Sequence, residues 1–411
     1  MDIIIKQLKP RLGRICRSIL GFIARLSPIK TSRFGYPDKI TESAPWLKKG
    51  GILPHYVSAV HILPEREIRP NRQPERVKDT DPLLLASNYL WKPKQRHVVT
   101  LQNARVCRAL DIVGPDNAIL WELSIRWNAS PSKHPLLRYP VLPPKCHLAG
   151  KTLFLCVDSS DNYFHWILDL LPKLKVMEDS GIDILGFDHY LVYTLQKEFQ
   201  RETLKSWGIP LERVVETLRH HNIETETLVV PSWADQSGFF DENDVKRVRE
   251  VLLATVPEKT STFPKRIFMG RRKTAGRRII NWQEISDILE RNGFTAVELE
   301  SLCFRDQMLI FHQAQAVVGI HGAGLTNLLF CKTGTKVLEL VNPNWSHWMY
   351  WNLASSLHLD YHYLFGEVEL FDKNTYNDTE ANRRIQDFRI DIQAFESVLK
   401  SWNKRLCQTT H

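Results

Sequence analysis

Two stretches of this 411-residue chain alternate short apolar, β-branched runs with segments of helical spacing, and strands separated by helices imply a parallel sheet covered on both faces. In the first stretch the pattern predicts strands at Thr152–Val157, Tyr190–Tyr193, Arg213–Val215 and Leu228–Pro231. Helices are expected from Tyr163 to about Glu178, over Gln196–Trp207 and over Glu242–Thr255. In the second, after the proline-bounded linker 257–264, strands at Arg266–Met269, Phe294–Leu299, around Val317, at Thr335–Val341 and at Tyr361–Phe365 alternate with helices over Asn281–Asn292, Phe304–Ala314 and His347–Leu357. That β-α-β order reads as a complete nucleotide-binding half. The length also predicts two domains.

The expected organisation is a basic amphipathic segment and linker at 1–60, a first domain at 61–257 with its Rossmann-like core from about 151, and a second at 258–370. A closing helix within 385–411, apolar at Phe388, Ile392, Phe395, Val398, Leu399 and Trp402, is expected to join the first domain. Between Arg96 and Trp127, Val98, Val99, Leu101, Val106, Leu110, Ile112 and Ile119 predict further strands.

Charge and cysteine usage narrow the class. Seven scattered cysteines with no C-x-x-C pair indicate neither a disulfide framework nor a structural zinc site, and predict a reducing, cytosolic setting. Part of the formal charge of +9 lies between Lys6 and Lys30, where basic residues interleave with Ile4, Leu8, Leu12, Ile15, Ile19 and Leu26 at helical steps. Such a helix suits an anionic membrane surface, or it is an ordinary surface helix; its apolar runs are too short to span a bilayer. Asp79-Thr80-Asp81, preceded by Arg76-Val77-Lys78 and not by an apolar strand, reads as a solvated turn and not as a metal-diphosphate motif.

Three constellations carry chemistry. In Ala316–Phe330 a buried strand stops in Gly319-x-x-Gly322-x-Gly324 and restarts as a helix, leaving backbone N–H groups where a phosphate sits well. The spacing matches neither the dinucleotide fingerprint nor a Walker A loop, and the glycines also suit a merely tight turn. After the strand Arg266–Met269 comes Gly270-Arg271-Arg272-Lys273-Thr274-Ala275-Gly276-Arg277-Arg278, cations at the carboxyl end of a strand, where guanidinium groups match phosphate oxygens. It lacks the interleaved aromatics of a nucleic-acid binder, so no nucleic acid is expected; a solvated loop is the other reading. In Asn162-Tyr163-Phe164-His165-Trp166-Ile167-Leu168-Asp169-Leu170-Leu171-Pro172-Lys173, His165 and Asp169 stand four apart on one helix face. There a carboxylate can hold an imidazole in one tautomer, as a base or as a simple surface pair. Pro172 is expected to disturb this helix.

Together with Val337-Leu338-Glu339-Leu340, these three motifs resemble glycosyltransferase family 61, over roughly 151–365. The resemblance implies a GT-B-like α/β architecture of two Rossmann-like parallel-sheet domains facing a cleft. It also implies an inverting, metal-independent enzyme with no cofactor, using a UDP-sugar donor and a glycan or lipid-linked acceptor in surface or capsular polysaccharide synthesis. His165 and Asp169 would be catalytic, with Asn162 on the acceptor side. Arg271, Arg277, Arg278 and Asn281 would hold the donor, with the backbone from His321 through Gly322, Ala323, Gly324 and Leu325, and with Asn327 and Glu339, the last on the ribose. The chain departs from the family in having Trp282-Gln283 where an acidic residue is frequent. With no spanning anchor read in it, the chain is expected in the cytoplasm, peripheral on the inner face of the plasma membrane. The rival from another class is a non-catalytic nucleotide- or sugar-binding protein of polysaccharide assembly. A hydrolase reading lacks a nucleophile elbow, and metal hydrolysis lacks further ligands at readable spacing.

Overall fold

The computed structural model describes residues 37, 39–42, 46, 52–66, 74–78, 95–124, 134, 136, 144–233, 237–256, 262–270, 276–368 and 385–408. The basic segment 6–30, Asp79-Thr80-Asp81 and Arg271 lie outside them. In chain order the strands are β1 (Lys39–Thr41), β2 (Val57–Ile62), β3 (Glu75–Arg76), β4 (His97–Gln102), β5 (Arg105–Cys107), β6 (Asp111–Val113), β7 (Ala118–Leu120) and β8 (Cys146–Phe154). They continue as β9 (His189–Val192), β10 (Val214–Glu216), β11 (Asn222–Pro231), β12 (Arg266–Met269), β13 (Thr295–Val297), β14 (Ala316–Ile320), β15 (Lys336–Val341) and β16 (Asp360–Phe365). The helices are α1 (Tyr163–His165), α2 (Pro172–Asp179), α3 (Glu198–Ser206), α4 (Glu242–Leu253), α5 (Trp282–Arg291), α6 (Phe304–Gln313), α7 (Met349–Ser356) and α8 (Ile392–Gln408).

The chain forms two compact units, one of residues 1–65 and 95–234, the other of 66–94 and 235–411. In the first, β11, β8, β9 and β10 are parallel neighbours, the predicted α/β core. The strands expected between Arg96 and Trp127 form no separate layer: β4 and β5 both pair antiparallel with β11, so they extend the same sheet. Leu101, Val106, Ile112, Phe154, Ile223 and Leu228 meet in its core.

The second sheet is all parallel, in the order β13-β12-β14-β15-β16-β3. Counted from β12 its five principal strands run 2-1-3-4-5, so the order reverses between β12 and β14. A sheet of this kind binds ligands outside the carboxyl ends of its strands at that reversal. Both the cationic loop and the glycine turn begin there.

Two expectations about domain membership fail. The closing helix does not join the first unit: Phe395, Val398, Leu399 and Trp402 of α8 pack with Phe268, Ile285, Leu289 and Phe388 in the second core. Helix α4, assigned to the first domain, also belongs to the second unit, as does the segment from Arg66. The physical reason is contact between segments distant in sequence. Arg66 forks onto the Asp244 carboxylate (2.8 and 2.7 Å), and β3, two residues long, pairs with β16. His362, between Glu75 (Nδ1–Oε2 3.5 Å) and Asp360 (Nε2–Oδ1 3.2 Å), fastens that short strand. These three side chains are the one group among the described residues close enough to share a cation. They lie at the amino end of β16, and the carboxylates face different ring nitrogens, the arrangement of an ion-pair clamp. Among the described residues no helix is long and apolar enough to cross a membrane.

Because Phe395 is wholly buried, Phe395→Ala should lower stability by about 3–5 kcal/mol through lost burial and the cavity left behind. A urea unfolding transition monitored on the second unit's tryptophans checks it.

Candidate active site

The His165–Asp169 pair forms as the spacing predicts. The helix starts at Asn162, whose side-chain oxygen accepts the Phe164 N–H at 2.9 Å, an N-cap that satisfies an orphan donor. This assigns Asn162 a helix-capping role. His165 Nδ1 lies 2.6 Å from Asp169 Oδ2. The imidazole is 22% exposed and the carboxylate 3%, so the carboxylate is the inner partner and the ring reaches solvent.

Pro172 acts as expected. It lacks the N–H that would bond the carbonyl four residues back, and the backbone widens into a π-turn over Trp166–Leu170, the Leu171 N–H bonding Trp166 O at 3.1 Å. Asp169 rides on that turn. Trp166, fully buried, anchors it by donating its indole N–H to Thr203 Oγ1 of α3 at 2.8 Å.

Lys173, one residue past the proline, is a finding that spacing alone did not single out. It is 3% exposed, and among the described residues its one hydrogen-bond partner is the Cys156 carbonyl at 3.3 Å. Its ammonium also stands 4.8 Å from the Phe154 ring centre. Burial pulls its pKa down to about 8, opposed only weakly by the nearby Cys156.

In the second unit the donor-site candidates divide. Arg277 Nη1 donates to the His321 carbonyl at 3.0 Å, joining the loop after β12 to the turn after β14 across the point where strand order reverses. Arg277 sits in the left-handed region (φ 57°), its N–H bonded to Ile385 O at 2.8 Å. The preceding Gly276 (φ 82°) admits no side chain, since a Cβ would lie 2.1 Å from Ile385 O. Strain of this sort persists only where surroundings impose it.

The helix after the glycine turn is 3₁₀ and not α: Ala323–Phe330, capped by Gly322. The Leu325 N–H already bonds Gly322 O at 2.9 Å, and His321 N–H bonds Leu340 O, so both leave the predicted phosphate cradle. What remains are the N–H groups of Gly322, Ala323 and Gly324, which precede the helix's own bonding pattern. Gly319 is closely packed: a Cβ there would lie 2.7 Å from the Met269 methyl and 2.9 Å from a Leu325 methyl, so those side-chain ends would have to shift.

His321 is 3% exposed, with Nδ1 hydrogen-bonded to Glu339 Oε1. The other Glu339 oxygen accepts the Tyr361 hydroxyl. Burial first, and then Glu339, hold that phenol well above the usual tyrosine range. Tyr350 packs its ring edge on His321 at 5.2 Å. Glu339 is therefore fully buried with both oxygens engaged, and the ribose contact expected of it is corrected to an internal relay. Sequence reasoning missed Tyr361 and Tyr350: the register that places Glu339 opposite Tyr363 brings Tyr361 within reach, and Tyr350 arrives from α7.

Three further candidates hold the fold. Arg278 forks onto Asp387 (2.9 and 2.8 Å). Asn281 donates to Ile390 O at 2.9 Å and accepts from Ile390 N at 3.0 Å. Asn327 donates to Gly324 O at 3.2 Å inside the 3₁₀ helix.

Comparison with known proteins bears on the family of the chain. Residues 163–338 match the family model described as Glycosyltransferase 61, which spans the His165–Asp169 turn, Arg277 and the glycine turn. Among similar proteins are those named EGF domain-specific O-linked N-acetylglucosamine transferase. That of Canis lupus familiaris is 35% identical over 82 residues, 19% of this chain and 16% of the relative. That of Drosophila melanogaster is 34% identical over 90 residues, 21% and 17% respectively. That of Gallus gallus is 34% identical over 82 residues, 19% and 15%. The matched stretch thus covers only 16–17% of the first two relatives' length. These matches support a glycosyltransferase with a family 61 domain.

The buried ammonium yields a stability prediction. A lysine whose folded pKa lies below its unfolded value destabilises while both states would be protonated, and the penalty fades as pH rises from about 8 towards 10.5. Lys173→Met should therefore raise stability at pH 6 by at most on the order of 3 kcal/mol, the gain shrinking above pH 8. Urea midpoints at pH 6, 8 and 9.5 check it.

Proposed function

We propose that this chain is an inverting, metal-independent glycosyltransferase of GT-B type that moves a sugar from a UDP-sugar to a hydroxyl of a glycan or lipid-linked acceptor. The observation that carries this reading is the convergence of Arg277 on the glycine turn at the reversal point of the second sheet. Positive charge and backbone N–H groups gather there for a leaving diphosphate.

His165 supplies the other half of the chemistry. With Nδ1–H donated to Asp169, the ring's lone pair is at Nε2, which takes the proton from the acceptor O–H. The acceptor oxygen forms its bond to the anomeric carbon as the bond from that carbon to the phosphate oxygen breaks in line, and UDP leaves with the electron pair. Arg277 and the N–H groups of Gly322, Ala323 and Gly324 neutralise the departing charge. His321 has the same type of carboxylate partner but is buried; it shapes the turn, whereas His165 meets the acceptor.

The relatives' printed name makes UDP-N-acetylglucosamine the first donor to test. Surface-polysaccharide assembly at the inner membrane face is part of the proposal, supported by the basic residues that interleave with apolar ones between Lys6 and Lys30.

Calorimetric titration with UDP, with and without EDTA, tests the donor site. UDP should bind in both, and Arg277→Ala should weaken it at least tenfold, the loss of a charge-assisted contact. Absence of nucleoside diphosphate binding would overturn the reading. His165→Ala should retain UDP affinity while sugar transfer falls by roughly 10²–10⁴-fold. Transfer undiminished in that variant would remove His165 from the chemistry, and no transfer by the natural chain from any UDP-sugar would favour a non-catalytic binding protein.

A further inference from the structure

A recess of about 380 Å³, within the range of small-molecule pockets, lies at the amino ends of β12, β14 and β15 in the second unit. Lys265, Arg266, Gln315, Lys332, Lys336 and Trp402 are among the residues that line it. Backbone bonds bring them together: the Lys265 carbonyl accepts the Gln315 N–H at 2.6 Å and the Ala316 N–H at 3.1 Å, and the Gln315 carbonyl accepts the Lys336 N–H at 3.0 Å. The Thr335 N–H closes a turn onto the Lys332 carbonyl at 3.0 Å. In the sheet register Arg266, Ala316 and Lys336 stand in one row across three strands, so two cationic positions flank a small one. Strand β14 runs from Ala316 to Ile320, and four steps of about 3.3 Å put the recess roughly 13 Å from the glycine turn, at the opposite end of the sheet.

Charge decides what enters. Among the described residues the lining holds four cationic side chains and no carboxylate. Lys265 and Lys332 are exposed, and Arg266 gives an N–H to the Asn292 carbonyl at 2.8 Å, one of the five donors of a guanidinium. Lys336 is held by the Trp402 carbonyl at 3.0 Å and adds its charge to the wall. Other arginines of this unit meet carboxylates instead: Arg278 pairs with Asp387, and Arg291 lies 3.8 Å from Glu396. The C-terminus of α6, at Gln313, brings about half a negative charge to this end of the sheet, and the Thr335 hydroxyl already donates to the Ala314 carbonyl there at 3.2 Å. That is too little to balance four cations. A carboxylate would answer one of them, whereas a phosphate group brings about two negative charges and three acceptor oxygens that lysine and arginine donors can share.

We infer that this recess is a binding site for a phosphate-bearing anion, whose oxygens Lys265, Arg266 and Lys332 share. The inference goes beyond the transferase reading and stands without it, because the glycine turn lies at the other end of β14. A free oligophosphate and a phospholipid headgroup offer the same chemistry, and the charge of the recess complements both.

The test is calorimetric titration of the full chain carrying Arg277→Ala, which takes the glycine turn out of the reading, with sodium pyrophosphate and, separately, sodium acetate. Pyrophosphate should bind, and acetate should bind at least tenfold more weakly. Adding Lys265→Gln and Lys332→Gln together should weaken pyrophosphate at least tenfold. The control pair Lys197→Gln and Lys205→Gln, which removes the same charge from exposed positions of the first unit, should change it less than twofold. If the double variant does not fold, Lys332→Gln alone should weaken pyrophosphate at least threefold. In the natural chain the Lys265→Gln, Lys332→Gln pair should leave UDP affinity unchanged, so loss of this site and loss of the donor site are separate results. Sedimentation with phosphatidylcholine vesicles, with and without phosphatidylglycerol, distinguishes the sources. Binding to the phosphatidylglycerol vesicles that the pair abolishes and pyrophosphate competes away makes the ligand a headgroup. Pyrophosphate binding beside vesicle binding that is absent, or that the pair leaves unchanged, makes it a free phosphate. No pyrophosphate binding, acetate binding as tight, binding untouched by the pair, or an equal loss in the control pair each overturns the inference.

Discussion

The second sheet is organised around a fully buried carboxylate. Glu339 lies on β15, between the strands that carry the glycine turn and Tyr361, and is fully buried. An uncompensated charge there would cost several kcal/mol, so its oxygens must be matched. His321 takes one and Tyr361 the other, which fixes where the chain stands as it leaves β14. The His321 carbonyl then meets Arg277, and Arg277 is held in a left-handed conformation by Ile385 and Gly276. A single buried charge thus propagates, bond by bond, to the one described arginine of the cationic loop that reaches the turn.

The two histidine–carboxylate pairs show why the pairing of residue types does not settle a role. Both bring Nδ1 to a buried carboxylate, and they differ in what surrounds the ring. His321 is covered by Tyr350 and spends its backbone carbonyl on Arg277; His165 keeps 22% of its side chain in solvent on a helix widened by a π-turn. A base must be reached by the hydroxyl it deprotonates, so exposure separates the two where chemistry does not.

Much of this was legible in the sequence, because the informative signals were local. The short apolar runs and the helical runs placed β12, α5, α6, β15 and α7 within a residue or two, and Pro172 announced a disturbed helix, which the structure shows as a π-turn. What escaped depended on partners far along the chain. The resemblance implied donor contacts for Arg278 and Asn281, yet each is matched 109 residues away by Asp387 and Ile390. The apolar face of α8 was readable, but an apolar stripe does not say which sheet it covers. Strand β3, two residues long, has no pattern to read, and the Arg66–Asp244 fork that brings the chain to it joins residues 178 apart.

The same contrast separates the residues that hold the fold from those that do not. Arg278, Asn281 and Asn327 each satisfy a backbone or carboxylate partner, so their polarity is explained by the fold. Lys173 is the opposite case: its charge is out of water, one carbonyl answers it, and its pKa falls to about 8 as a result. A methionine of similar length would fill that space without the desolvation penalty. The fold therefore bears a cost at Lys173 that its own contacts, the Cys156 carbonyl and the Phe154 ring, do not return.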